Sequence, residues 1–147
     1  MSEDEFRKGI VAEALSWEGT PYRSCGCIKG AGVNCAQFVF GVYRATGAIS
    51  VDAPKPSWYT PQLSLHSKEE RLIEYLKAYG AVEIDEQDVK PGDVIAYKNG
   101  LSHGHLAIVV DWPVVVHCAG INGVHRNGMS DGMLAKFSRR YFTAWKG

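Results

Sequence analysis

No run of one charge sign, no apolar stretch of bilayer length and no cysteine framework occurs in this 147-residue chain, and each absence removes a class of function. Sixteen Lys and Arg residues balance sixteen Asp and Glu residues, and the basic ones never gather along one segment, which argues against a nucleic-acid partner. The start, Met1-Ser2-Glu3-Asp4-Glu5, is acidic where a secretory signal would be basic, so neither an export signal nor a membrane span is expected. Four cysteines, Cys25, Cys27, Cys35 and Cys118, are too few and too unevenly spaced for a disulfide scaffold, so reduced thiols are expected. Cys25 and Cys27 lack the two-residue knuckle and second matching pair of a zinc site, and the expectation is a domain with no metal and no cofactor. The length suits a single domain over 1–147 with a core that needs no staple.

What is present falls into two halves. Phe6, Ile10, Ala14 and Trp17 recur at helical spacing and predict an amphipathic helix stopped by Gly19-Thr20-Pro21. A Gly- and Cys-rich loop, 24–32, leads to a second predicted helix over 36–45, with Asn34 as N-cap and Gly47 as stop. A Pro-rich loop over 52–64 precedes a third predicted helix over 67–79, in which Ser67 and Glu70 have capping-box spacing. The remainder reads as short β-branched strands over 94–97, 106–110 and 114–118, with another possible over 141–145. Helices followed by strands predict an α+β domain with an antiparallel sheet.

Chemistry enters at Cys35. A thiol attacks as its thiolate, which is scarce at neutral pH unless positive potential lies nearby. The first turn of the second helix supplies that potential through exposed backbone N–H groups and the macrodipole, and the same N–H groups suit an oxyanion. Among the cysteines only Cys35 has this setting. The competing assignment is a small buried residue beneath the helix.

Histidine is the natural base, and there are five. His66 and His125 lie in loop-like stretches and read as surface residues. His103 and His105 stand at the entry to one strand and His117 in the next. A three-residue turn, Asp111-Trp112-Pro113, sets Val110 opposite Val114 and Ala107 opposite His117, so that His105 and His117 share a face. The arrangement suggests a nucleophile, a base and an orienting imidazole. His117 could equally be a core histidine, and Gly104 leaves His103 open as a second candidate for the base.

Gly19-Thr20-Pro21-Tyr22-Arg23, Gly30-Ala31-Gly32-Val33-Asn34-Cys35, Pro91-Gly92-Asp93-Val94 and His105-Leu106-Ala107-Ile108, in this order, resemble the motif set of NlpC/P60 cell-wall cysteine peptidases, particularly their phage-tail-associated branch. The resemblance covers about 14–117. It implies a papain-like fold with Cys35 as nucleophile, His105 as base and His117 as third member, and Tyr22 beside the nucleophile to polarise the scissile carbonyl. Asn34 and Ala36, flanking Cys35, complete the expected substrate-side and oxyanion set. They are also departures, since the family usually has Asp before the nucleophile and Ser-Gly after it, where this chain has Asn34 and Ala36-Gln37. The implied substrate is a peptidoglycan stem peptide, the implied partners are phage-tail proteins, and the chain would reach the wall with a partner, through lysis or in a phage particle. The alternatives are an amidase, acyltransferase or toxin built on the same site, a non-catalytic tail assembly component, or a zinc module.

Overall fold

The computed structural model describes residues 1–24, 26–56 and 63–147, with the side chain of Leu63 outside that set. Helix α1 (Glu3–Ser16) starts where Ser2 Oγ accepts from the Glu5 N–H at 3.1 Å, and three acidic residues in its first turn complement the helix dipole. It buries Ile10 and Ala14. A two-stranded ribbon, β1 (Cys27–Ile28) and β2 (Gly32–Val33), leads into α2 (Cys35–Thr46). Asn34 and Gly47 bound that helix as expected: Asn34 Oδ1 accepts from the Gln37 N–H at 2.8 Å, and Gly47 takes a left-handed φ of 75° that suits glycine.

The third helix differs from the expectation. A single turn, α3 (Leu63–His66), is followed by α4 (Arg71–Ala78), and no capping box forms. Ser67 Oγ accepts from the Glu69 N–H, while the Glu70 carboxylate serves His103 in place of a helix end. Trp58 and Tyr59 of the preceding loop lie outside the described residues.

Strands β3 (Val82–Ile84), β4 (Val94–Lys98), β5 (His103–Asp111), β6 (Val114–Ala119), β7 (Gly123–Gly128) and β8 (Ser138–Thr143) form an antiparallel sheet in the order β3-β8-β4-β5-β6-β7. One face, with Val94, Ala96, Leu106, Ile108, Val116 and Cys118, packs on the helices. The other, with Ile95, Tyr97, Ala107, Val109 and Val115, is covered by Met129 and Leu134. Strand β7 escaped the sequence because Gly123 to Gly128 has no β-branched alternation; pairing with β6 makes it a strand.

The β5–β6 hairpin keeps the expected Ala107–His117 pair by another route. Asp111, not Val110, stands opposite Val114, and a bulge between Val109 and Asp111 absorbs the extra residue. The turn is Trp112-Pro113 rather than three residues long.

The Pro91-Gly92-Asp93 motif is structural. Asp93, 1% exposed, accepts from the Lys90 N–H at 2.9 Å and from Arg7 of α1 at 2.8 Å, and the Gly92 carbonyl accepts from the Tyr43 hydroxyl of α2 at 3.1 Å. This turn fastens both helices to the sheet. Removing Arg7 strands a buried carboxylate, so Arg7→Ala is expected to cost about 3–5 kcal/mol of stability. A urea titration measures it, and a loss below about 1 kcal/mol would refute the role.

Candidate active site

The site is assembled where the N-terminus of α2 meets the ends of β5 and β6. Backbone pairing fixes the approach to Cys35. Gly19 N–H donates to the Val124 carbonyl and Val124 N–H to the Thr20 carbonyl, both at 2.9 Å, joining the loop after α1 to β7. Val33 N–H then donates to the Pro21 carbonyl and Arg23 N–H to the Val33 carbonyl, both at 3.0 Å, which sets Tyr22 beside the strand entering α2. The Gly-Thr-Pro-Tyr motif thus works as a backbone splint.

Cys35 occupies the first position of α2 and is 5% exposed. The Phe38 N–H is taken by the Asn34 carbonyl and the Gln37 N–H by Asn34 Oδ1. The amide of Ala36 belongs to the first turn, whose N–H groups point out of the helix end toward developing negative charge. Asn34 Nδ2 donates to the Ser24 carbonyl at 2.7 Å, so both ends of this buried side chain are used in shaping the loop and helix. Gln37, which the sequence left without a role, donates to the Pro56 carbonyl at 2.6 Å.

A cavity of ≈ 300 Å³ opens beside Cys35. Tyr22 and Cys35 bound it on the helix side; Asn99, Gly104, His105, Cys118, Ala119 and Gly120 bound it on the sheet side. Cys35 Sγ lies 3.7 Å from the Gly104 carbonyl. His105 Nε2 and His117 Nδ1 are 2.7 Å apart, a hydrogen-bond distance, with rings nearly perpendicular. If His105 is to receive a thiol proton at Nδ1, its own proton must sit on Nε2 and be donated to His117 Nδ1. The His117 proton then sits on Nε2, which is buried and has no hydrogen-bond partner among the described residues.

Two of the five histidines behave differently from the sequence reading. His125 is no loop residue: it pairs with His117 across β6–β7, half-buried, with ring centroids 4.5 Å apart. His103 is turned away from His105 by a bulge. Tyr97 pairs with His105 and Lys98 with His103, so Gly104 is an extra residue and the two imidazoles fall on opposite faces. Glu70 fixes His103 there, accepting from its N–H at 2.7 Å and contacting Nδ1 at 2.6 Å. His66 is exposed at the end of α3.

Burial governs the electrostatics. It pushes His105 down to about 4, with the charge of His125 adding to the shift, and His117 down to about 3, with His105 and His125 adding. Both are therefore neutral near pH 7, His117 acting as an uncharged acceptor. Cys118, in contact with the Val33 carbonyl at 3.1 Å, is pushed up to about 12 by burial, with the neighbouring Cys35 adding to the shift, so it stays a thiol. Cys27 and Cys118 are in no disulfide, Cys25 lies outside the described residues, and among the described residues no His, Cys, Asp or Glu group is arranged for a metal.

Neutral burial has a thermodynamic consequence. Below the ordinary histidine value of 6.5 the unfolded chain binds protons that folded His105 and His117 refuse. Stability is thus full above pH 6.5 and falls as pH drops toward 4 and then 3, by up to about 1.4 kcal/mol per pH unit for each histidine. Denaturant midpoints between pH 7 and 5, above the main carboxylate range, should show the slope, and His117→Phe should reduce it. A flat profile would contradict neutral burial of the pair.

The sequence profile of the NlpC/P60 family matches residues 19–143. A curated relative, the probable endopeptidase NlpC of Escherichia coli (strain K12), is 26% identical over 125 residues, which is 84% of this chain and 68% of the relative. Among solved structures, the NlpC/p60 domain of the peptidoglycan hydrolase SagA aligns with a TM-score of 0.60 at 19% identity, covering 91% of this chain and 96% of that domain. RipD of Mycobacterium tuberculosis, described as a non-catalytic NlpC/p60 domain protein adapted to peptidoglycan binding, aligns with a TM-score of 0.59 at 13% identity, covering 94% and 96%. No helix among the described residues is long and apolar enough to cross a membrane.

Proposed function

This chain belongs to the NlpC/P60 family, and from that premise we propose that it is a cysteine peptidase hydrolysing amide bonds in peptidoglycan stem peptides, with Cys35 as nucleophile, His105 as base and His117 as orienting residue. The observation that carries the reading is one cavity shared by a helix-terminal thiol and an imidazole whose far nitrogen is hydrogen-bonded to a second imidazole. His105 Nδ1 takes the Cys35 proton, and the thiolate adds to the scissile carbonyl carbon. The first turn of α2, with the amide of Ala36, receives the oxyanion, and Tyr22 lines the same cavity. His105 returns the proton to the leaving amine, an acyl-enzyme remains, and water activated by His105 releases the acid. His117, held neutral, accepts from His105 Nε2 throughout and fixes the tautomer.

Incubation with purified peptidoglycan fragments, with and without prior thiol alkylation and with the alkylated residue mapped by mass, tests the reading. New stem-peptide fragments that disappear on alkylation of Cys35 are expected. Binding without cleavage would instead align the chain with a peptidoglycan-binding role. Its association with a phage tail, supported by the motif resemblance, is tested by searching for the chain in purified particles.

A further inference from the structure

We infer that Asn99 is a substrate-contacting residue of this site, its Nδ2 donating to a carbonyl oxygen of the bound peptide. The inference rests on the peptidase reading and deepens it. Asn99 follows β4, in the loop before β5, and its side chain has two ends with different settings. Oδ1 accepts from the Gly104 N–H at 3.1 Å, which settles the amide orientation because a backbone N–H can only donate. Nδ2 therefore points the other way, and among the described residues it has no hydrogen-bond partner. Asn99 lines the cavity that holds Cys35 and His105.

The surrounding chemistry gives this donor its meaning. None of the eight described residues lining the cavity carries a charged carboxylate, ammonium or guanidinium group, and most of them present apolar or backbone atoms. A peptide backbone brought into such a space loses water from its carbonyl oxygens and needs donors in exchange. Asn99 stands on the sheet side, across the cavity from Tyr22, so a chain lying between them meets the Nδ2 donor on that flank. The anchor is rigid. Gly104 packs so closely that a Cβ there would lie 2.6 Å from both Asn99 Oδ1 and the Ser64 side chain, so the strand, the asparagine and α3 fix one another.

Asn99→Asp separates holding Gly104 from holding substrate. The carboxylate keeps the acceptor for the Gly104 N–H and removes the donor. The measurements are kcat/KM on a stem-peptide amide, and the rate at which iodoacetamide alkylates Cys35, followed against pH. For Asn99→Asp the expected result is a fall of about tenfold or more in kcat/KM, as for a lost hydrogen bond to a desolvated carbonyl, and larger than the slowing of alkylation that the added negative charge causes by opposing the thiolate. Asn99→Ser, too short to serve both partners, should fall in the same direction and stands in should the aspartate variant fold poorly. Hydrolysis by Asn99→Asp at the parent rate would overturn the proposal. So would equal losses of hydrolysis and alkylation, which would mean that Asn99 acts through the cysteine and histidine pair. A parent protein that cleaves nothing while its Cys35 remains alkylatable would overturn the peptidase reading itself, and this inference with it.

Discussion

Cys35→Ala is expected to lower kcat/KM for stem-peptide hydrolysis by about 10⁴-fold or more while leaving a folded protein. The size follows from the absence of a substitute. Cys118 lines the same cavity, but its thiol contacts the Val33 carbonyl and is pushed up to about 12, so it furnishes no thiolate near neutral pH. Only Cys35 stands in the first turn of α2, where the helix dipole favours the anion. Cys35→Ser should be nearly as inactive, since a hydroxyl holds its proton far more tightly than a thiol. Circular dichroism with kinetics on a defined stem peptide measures both variants, and activity within tenfold of the parent would remove Cys35 from the chemistry.

The second large effect concerns the base. His105→Ala should lose activity on the same scale as Cys35→Ala, whereas His103→Ala should stay within about tenfold of the parent. The two histidines are two residues apart, yet the bulge at Gly104 sends them to opposite faces: His105 to the cavity and His117, His103 to Glu70. A nucleophile and its base act as a unit, so the Cys35→Ala/His105→Ala double variant should be little worse than either single one. Additive losses would indicate that the two side chains do not cooperate, and a larger effect at His103 would exchange the assignments.

How much of this was legible beforehand depended on whether a signal was local. Helix α2, its Asn34 cap and its Gly47 stop were readable because capping is chemistry between residues three or four apart. The Ala107–His117 pairing was predicted correctly, although the turn that produces it was not, since a bulge and a shorter turn offset each other in the register count. Helix α4 began later than the Ser67 and Glu70 pattern implied. Glu70 has a partner thirty-three positions along the chain in His103, and no local pattern encodes that choice.

The sequence by itself determined the fold class, the family motifs and the place of Cys35 in the first turn of a helix, because periodicity, caps and motif order are written in neighbouring residues. Only tertiary structure decided which histidine meets the cavity, that His125 packs against His117, that Asn34 caps the helix with one end and holds the loop with the other, and that Asn99 lines the cavity. Those outcomes depend on strand register and on which side of a sheet a side chain faces. A single inserted residue such as Gly104 reverses that side, and pairing with distant strands fixes it.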